Sequence, residues 1–336
     1  MNKLINCLIN KNTSCIPVWF MRQAGRHLPE FQKIRKNNTD FTKLCLNSDL
    51  SAQITMQPVD RYDLDAAIIF SDILMIPYGV GQSIRFEKNK GPILSAFKEK
   101  EFLNNNEINF STKLSPIYEA ISKTKKKLGN RKSLISFVGA PWTLIVYMLG
   151  MKEDKNTLNL GLMKENKKKI ESILEKITSY IILHIKNQIN AGADVIQIFD
   201  SWAGLIPDEK LENYCYQPNL KIVNFCKENK IPVICFPRGI KKNYIDFAKF
   251  VQPDGMSIDY DVDPEWIRKH LNNIVLQGGM NPKFLLQDTK KMLHEAEKYL
   301  KIFKDYPYIF NLGHGLLPET NPESVKKLVD YVKSYE

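Results

Sequence analysis

The amino-acid sequence predicts an α/β protein built as a single (β/α)8 TIM-type barrel, with an insertion after strand 2. The chain has 336 residues, enough for a barrel of this type, which typically needs about 250. Short apolar runs typical of buried parallel strands recur along it at fairly even intervals. Amphipathic helical patterns separate the runs, and this alternation is typical of a parallel sheet. With 43% hydrophobic and 25% charged residues, the composition excludes disordered and collagen-like classes.

Eight apolar runs are the candidate strands of this barrel. They are Ile16–Phe20, Ala66–Phe70, Leu134–Val138, Asp194–Phe199, Pro232–Phe236, Gly255–Asp259, Ile274–Gln277 and Tyr308–Asn311. Eight is the number of strands in a closed (β/α)8 barrel. A doubly wound open sheet is the alternative, but it would normally carry a glycine-rich phosphate turn after its first strand, and the sequence has none there.

Helical patterns fill the intervals between the candidate strands. Examples are Leu114–Leu128, Met163–Ile189, Pro207–Lys227, Pro264–Leu271, Asp288–Phe303 and Asn321–Tyr335. The segment Pro77–Pro92 carries three glycines and is predicted to form an irregular insertion or a small hairpin. The sequence shows no internal repeat and no low-complexity linker, so residues 1–336 are predicted to form one domain.

The net charge of +11 comes mainly from lysine, because 40 of the 48 basic residues are Lys and only eight are Arg. Runs such as Lys125–Lys127 and Lys167–Lys169 lie in helix-like stretches, which favours a solvated surface over a nucleic-acid site. The charge is compatible with attraction of small anionic molecules.

The cysteines and the N-terminal segment favour a cytoplasmic protein. Six cysteines form no CxxC pair, and most lie in apolar runs, as expected for reduced core thiols. Residues 1–11 are interrupted by Asn and Lys and contain no signal-peptide core. No stretch approaches the ~18 uninterrupted apolar residues of a membrane-spanning helix, so we expect no membrane association.

Polar and charged residues follow most of the candidate strands, and in a barrel these positions converge on one mouth. Past the successive strands stand Arg22, Gln23, Ala24, Gly25 and Arg26, then Asp72, Tyr147, Ser201, Arg238 and His314. Arg22 and Arg26 flank small residues that allow a ligand close to the backbone. Their planar guanidinium groups fit carboxylates or phosphates in bidentate fashion. Anion binding is favoured over the alternative, salt bridges at a helix start to Glu30 or Asp63.

Asp72 and His314 each admit two interpretations. Asp72 follows an apolar strand, where it could cap the next segment or stabilise a positive charge that develops on a ligand. His314 lies between two glycines, an unusual place for a core histidine, which favours ligand contact. Tyr147 and Ser201 could be ordinary packing or capping residues and are singled out only by their shared location.

Absent motifs narrow the chemistry. The sequence contains no G-x-x-x-x-G-K-[ST], HExxH or G-x-S-x-G motif and no His/Cys cluster with metal-ligand spacing. We therefore expect catalysis by side chains alone, with no metal and no organic cofactor.

Several of these segments together resemble the uroporphyrinogen decarboxylase family. The strongest likeness is Pro17-Val18-Trp19-Phe20-Met21-Arg22-Gln23-Ala24-Gly25-Arg26, followed by Leu28-Pro29-Glu30-Phe31. The stretches Asp65–Asp72, Gly139–Leu144 with Tyr147 and Gly150, Gln197–Ser201 and Asn311–Gly315 extend it over nearly the whole chain.

The resemblance implies an enzyme that removes CO2 from the four acetate side chains of uroporphyrinogen III, giving coproporphyrinogen III in haem biosynthesis. It also implies a single barrel domain, a homodimer and no cofactor. By position, Asp72 resembles the family's central aspartate, which binds the pyrrole N–H groups, and Arg22 and Arg26 resemble its carboxylate-binding arginines. The other implied substrate contacts are Tyr147, Ser201, His314 and Arg35, and we predict Asp72, Arg22 and Tyr147 as the catalytic residues. This chain has His27 where many relatives have Tyr, so the resemblance implies no role there.

Two rival functions are less compatible with the sequence. Cobalamin-linked methyltransferases of the same superfamily hold zinc through a His-x-Cys on strand five and a later Cys. Here the corresponding stretch reads Val233-Ile234-Cys235 and no later Cys occurs. A basic non-catalytic porphyrin- or RNA-binding protein would explain the charge but would not need the Arg, Asp, Tyr and His set at the strand ends.

Overall fold

The computed structural model describes residues 2–87, 91–154, 157–161 and 166–335. Nine strands are assigned within these ranges. They are β1 (Ala66–Ile68), β2 (Ile84–Glu87), β3 (Gly91–Leu94), β4 (Ser133–Gly139), β5 (Val195–Asp200), β6 (Val233–Pro237), β7 (Gly255–Ile258), β8 (Val275–Gly278) and β9 (Tyr308–Ile309).

Seven of these strands form one parallel sheet in the order β1-β4-β5-β6-β7-β8-β9, which follows their order in the chain. The sheet is curled and its concave side is packed. One cluster of buried side chains joins residues from β1, β4, β5, β6, β8 and β9 to Trp19 and to the first helix. The α/β class predicted from the sequence is confirmed, and each of the seven strands overlaps a predicted run.

Helices follow most of the strands and cover the convex side of the sheet. The helices before β4 are α1 (Lys3–Asn10), α2 (Pro29–Asn37), α3 (Phe41–Cys45), α4 (Ser48–Tyr62), α5 (Met75–Gly79), α6 (Glu99–Asn104) and α7 (Glu107–Leu128). The later ones are α8 (Pro141–Met148), α9 (Lys167–Asn190), α10 (Gln217–Glu228), α11 (Tyr244–Val251), α12 (Pro264–His270), α13 (Thr289–Ile302) and α14 (Pro322–Ser334). In the described residues, no helix is long and apolar enough to cross a membrane.

The run Ile16–Phe20, predicted as the first strand, does not form a regular strand. Val18 makes a single parallel bridge with Phe310, and its amide donates instead to the Asp65 carboxylate at 2.9 Å. Pro17 has no amide hydrogen to donate, so a regular ladder cannot form here. The segment nonetheless bonds on both sides, since Phe310 N donates to Pro17 O and Asp65 N donates to Val18 O.

A chain of buried polar side chains crosses the interior of the curled sheet. Trp19 Nε1 donates to Gln277 Oε1 at 2.8 Å. The Gln277 amide group in turn donates to Gln197 Oε1 at 3.1 Å and to Ser257 Oγ at 2.7 Å. All four side chains are fully buried, so these bonds satisfy polar groups in the core and fix segments from opposite sides of the sheet relative to one another.

One further predicted helix needs correction, and of the two alternatives for Pro77–Pro92 the structure shows the small hairpin. The segment Pro207–Lys227 is not one helix, because a π-helical turn at Glu212–Tyr216 precedes α10. Pro218 lacks the amide hydrogen of a regular α-helical bond, and the wider turn accommodates it. The segment Pro77–Pro92 contains the end of α5 and most of the antiparallel hairpin β2–β3, which extends to Leu94. The start of the predicted helix Met163–Ile189 lies partly outside the described residues.

Candidate active site

The loops at the carboxyl ends of the strands enclose a cavity of about 880 Å³. Its floor is apolar and is formed by Ile68, Phe137, Phe199 and Phe236 at the ends of β1, β4, β5 and β6. Loops carry most of the polar residues that surround this floor, and the helices α2 and α8 contribute Arg35 and Tyr147. A cavity of this size with an apolar floor and a few convergent polar groups is typical of a small-molecule site.

The loop after Phe20 brings two arginines to the cavity. Arg22 adopts a left-handed backbone conformation, with φ of 62°. Gln23 is fully buried behind the loop, where its Oε1 accepts from Phe20 N and its Nε2 donates to Ala66 O, both at 3.0 Å. Since these bonds anchor a turn that is costly for a non-glycine residue, Gln23 acts on the position of Arg22. Its side chain does not line the cavity, whereas Arg22, Ala24, Gly25 and Arg26 do.

Gly315 provides the space through which the Arg22 side chain reaches the cavity. A Cβ atom at position 315 would lie 2.5 Å from Arg22 Cδ and 2.6 Å from Arg22 Cγ. The two loops are also joined by a hydrogen bond from Leu316 N to Met21 O at 2.9 Å. The glycine that follows His314 is therefore required by the packing of Arg22.

Asp72 lies at the cavity wall after β1. Its Oδ1 accepts the Leu74 amide at 2.8 Å, so the carboxylate stabilises a local turn and also lines the cavity. Burial raises the pKa of Asp72 to about 6, against the lowering effects of the Leu74 amide and of Arg22. The two interpretations that the sequence left open are compatible, because one oxygen makes the turn and the side chain still faces the cavity.

Tyr147, Ser201 and His314 also line the cavity. Burial raises the pKa of Tyr147, so its phenol keeps the proton. Burial, followed by the charges of Arg22 and Arg238, lowers the pKa of His314 to about 4. At neutral pH both groups are therefore uncharged hydrogen-bond donors or acceptors.

Arg35 lines the cavity from α2, on the side of the β2–β3 hairpin. Its guanidinium lies 5.7 Å from the centre of the Phe41 ring and donates to Asn38 O. Phe41 also packs edge to face on Phe86 of β2, with ring centres 4.7 Å apart. The aromatic contact fixes the arginine and links the hairpin to the same wall.

His27 is buried at the edge of the cavity and stacks on Tyr62, with ring centres 6.3 Å apart. Burial lowers the pKa of His27 to about 4. The ring is therefore neutral at physiological pH and adds no charge to the site.

The sequence analysis placed Arg238 after a strand at the mouth of the barrel but assigned it no role, and it did not include the apolar floor. Arg238 follows β6 and lines the cavity, and its place directly after a strand was the available signal. Phe137, Phe199 and Phe236 looked like ordinary strand residues, because a buried run carries no mark of which side chains reach the mouth.

A comparison with protein families gives a match over almost the entire chain. The family described as Uroporphyrinogen decarboxylase (URO-D) matches residues 1–335. The chain belongs to the uroporphyrinogen decarboxylase family. Curated relatives named uroporphyrinogen decarboxylase include one from Orientia tsutsugamushi, strain Ikeda, at 42% identity, which covers 100% of this chain and 99% of the relative. Another, from Rickettsia felis, is 40% identical and covers 100% and 98%.

Solved structures share the fold of this uroporphyrinogen decarboxylase family member. A methyltransferase from Methanosarcina mazei superposes with a TM-score of 0.81 at 18% identity, covering 98% of this chain and 96% of the other. A putative B12-independent methionine synthase from Listeria monocytogenes gives a TM-score of 0.53 at 12% identity, covering 85% and 86%. At such identities the likeness concerns the fold alone.

The described residues of this decarboxylase family member offer no metal-ligand set. Within the described ranges, no three His, Cys, Asp or Glu side chains are grouped in a way that could hold a metal ion. Cys235 is buried in β6, and burial raises its pKa far above the usual range, so the thiol stays protonated.

Proposed function

We propose that this chain removes CO2 from the four acetate side chains of uroporphyrinogen III to give coproporphyrinogen III, and that the reaction takes place in the cavity at the strand ends. Membership of the uroporphyrinogen decarboxylase family supports the reaction. The observation that carries the location is the charge of the cavity. Its described lining holds four arginines (Arg22, Arg26, Arg35 and Arg238) and a single carboxylate, Asp72.

The arginines suit a substrate that carries eight carboxylates. Half of the eight arginines of the chain line the cavity, but none of the 40 lysines does so within the described residues. A guanidinium presents a planar fork that binds a carboxylate through two parallel hydrogen bonds, which an ammonium group cannot do. We assign Arg22, Arg26 and Arg35 to substrate carboxylates.

The remaining predicted contacts come from backbone and neutral groups. Ala24 and Gly25 would present main-chain atoms to the substrate, whereas Gln23 would act only through the loop that it anchors. Ser201 and His314 would add neutral hydrogen bonds.

Asp72 is proposed to accept hydrogen bonds from the pyrrole N–H groups. In the part of the chain that the structure describes, Asp72 Oδ1 has the Leu74 amide as donor and Oδ2 has none. A carboxylate with a free oxygen in a site of reduced dielectric is suited to N–H donors and to a ring that becomes positive.

Decarboxylation requires a group that accepts the electron pair of the broken carbon–carbon bond. Protonation of a pyrrole ring carbon makes the ring cationic, and the bond between the acetate methylene and its carboxylate then breaks, so that the electron pair neutralises the ring and CO2 leaves. A proton adds to the methylene carbon to form a methyl group, and the ring carbon loses its extra proton. Each acetate therefore consumes one proton and releases one CO2.

Arg22 and Tyr147 are proposed as catalytic residues together with Asp72. Arg22 and Asp72 each affect the pKa of the other, and both affect the pKa of Tyr147, so the three side chains form one electrostatic group, which we place beside the reacting ring. A guanidinium stays protonated in proteins, so we propose that Arg22 acts through its charge and its hydrogen bonds.

The test is anaerobic incubation with uroporphyrinogen III, followed by oxidation and chromatography of the porphyrins. We expect products with seven, six, five and finally four carboxylates. Unchanged octacarboxylate under conditions where a curated relative is active would refute the proposal.

We also propose that the chain is a single eight-stranded barrel domain that works as a cytoplasmic homodimer. The hydrogen bonds of the segment around Val18 to both Phe310 and Asp65 support its role as the eighth member of the ring. The family resemblance supports the dimer and the compartment. Sedimentation equilibrium tests the dimer, and a monomer at micromolar concentration would refute it.

A further inference from the structure

Arg238 has a backbone that is fixed by hydrogen bonds and a guanidinium group that lines the cavity. Its amide donates to Asp200 O at 3.1 Å, and Gly204 N donates to its carbonyl at 2.9 Å. In the described parts of the chain no acidic side chain forms an ion pair with its guanidinium, which lines the cavity half-buried. Keeping a partly buried cation without a counter-ion is unfavourable unless a ligand supplies the negative charge.

The loop that carries Arg238 is held by a buried carboxylate that directly follows the next strand, β7. Asp259 Oδ2 accepts from Gly239 N at 2.8 Å and from the Tyr244 hydroxyl at 3.0 Å. On the other side, a Cβ atom on Gly204 would lie 2.5 Å from Gly239 O, so the loops after β5 and β6 are in direct backbone contact. These contacts fix the backbone position of Arg238. The entropy that is lost when its side chain binds a ligand group is therefore smaller.

The position of Arg238 complements that of the arginine pair. Arg22 and Arg26 follow the segment around Val18, which bonds between β1 and β9, whereas Arg238 follows β6 in the middle of the sheet. The two groups therefore approach the cavity from different sides. Burial is the main cause that lowers the pKa values of His314 and Arg22, and the charge of Arg238 adds to both effects, so its guanidinium lies within electrostatic range of these groups. An anionic ligand between these groups would relieve their mutual repulsion.

We propose that Arg238 binds a carboxylate of the substrate through its guanidinium fork, on the side of the cavity away from Arg22 and Arg26. The inference rests on the proposed function and adds a substrate-binding residue to it. A substrate with carboxylates around its whole perimeter would then be bound from several directions, and its orientation above Asp72 would be fixed.

The test compares Arg238→Gln and Arg238→Lys with Arg131→Gln, which removes the same charge from an exposed position outside the cavity. We expect Arg238→Gln to raise the KM for uroporphyrinogen III about 10- to 100-fold, as for a lost hydrogen bond between charged groups. Arg238→Lys should recover part of this loss, and Arg131→Gln should stay within about twofold of the wild type. An equal KM in Arg238→Gln and Arg131→Gln would overturn the inference.

Chemical rescue separates binding from a structural role. In Arg238→Ala, millimolar methylguanidinium should lower the raised KM, because the free cation can occupy the vacated position beside the substrate carboxylate. A variant that folds normally but shows no rescue, together with an Arg238→Lys variant no better than Arg238→Gln, would assign the residue to structure alone. Inactive wild-type protein would instead refute the proposed function, so the two failures are distinguishable.

Discussion

Gly315→Ala should displace the Arg22 side chain without unfolding the protein. The new methyl carbon would lie 2.5 Å from Arg22 Cδ and 2.6 Å from Cγ, whereas non-bonded carbon atoms prefer about 3.5–4.0 Å. The arginine must therefore retreat by about 1 Å, and the displacement grows toward the guanidinium because the base of the side chain is held in its left-handed turn. Misplacement of a binding group by ~1 Å can cost on the order of 10²-fold in rate, or ~2.7 kcal/mol.

A double-mutant cycle with Arg22→Gly provides the control. That substitution removes the three atoms that lie nearest to the new methyl group, and glycine is compatible with the φ of 62° at this position. Gly315→Ala should therefore lower kcat/KM in the wild type but not in the Arg22→Gly background. The assay is initial-rate decarboxylation, with the melting temperature measured in parallel. Equal losses in both backgrounds, or no loss in the single variant, would refute the reasoning.

Three further predictions concern the rest of the site. Asp72→Asn should lower the decarboxylation rate about 10²-fold or more, and Asp72→Glu should also lower it. Because burial raises the pKa of Asp72 to about 6, the wild-type protein loses stability as pH rises through this value. The melting temperature of Asp72→Asn relative to the wild type should therefore be higher at pH 8 than at pH 5. Near-wild-type turnover of Asp72→Asn would contradict its role. Arg22→Lys and Arg26→Lys should each lower kcat/KM by an amount that corresponds to roughly 1–3 kcal/mol. Replacing the exposed Lys126 and Lys127 by Gln changes the net charge more but should have little effect on kcat/KM. Similar losses in both sets of variants would contradict specific binding of substrate carboxylates by the two arginines. Dialysis against a strong chelator should leave activity unchanged, and loss of activity together with a stoichiometric zinc ion would contradict this.

The strands could be predicted from the sequence because each buried parallel strand is a short, nearly uninterrupted apolar run. The same signal failed to describe the segment around Val18. Its side chains are as buried as those of a strand, but its pairing depends on a missing amide at Pro17 and on the carboxylate of Asp65, 47 residues along the chain. A hydrophobic pattern indicates which residues are buried, but it does not indicate which acceptor forms a hydrogen bond with each backbone N–H group.

The site could be predicted from the sequence where a residue's place directly after a strand is enough to bring it to the mouth of the cavity. Arg22, Asp72, Tyr147, Ser201 and His314 do line one cavity. Gln23 illustrates what position cannot reveal, because a left-handed turn at the preceding residue directs its side chain into the core. Such a turn is stabilised by contacts distant in sequence, so local spacing does not predict it.

Four arginines and one carboxylate, Asp72, line the described part of the cavity, and under the proposed function this composition has a kinetic consequence. With Asp72 as the group that binds the pyrrole N–H groups, the four acetates would be processed one after another, and the porphyrinogen would have to turn between steps. Each turnover converts a charged arm into a methyl group, so the attraction between ligand and arginines declines from the octacarboxylate to the tetracarboxylate. The later intermediates should therefore escape more readily than the first, and excess starting material should displace them. The distribution of released intermediates should therefore depend on the substrate concentration. The affinity of each intermediate in this competition depends on the number of arginines that its remaining carboxylates can still bind.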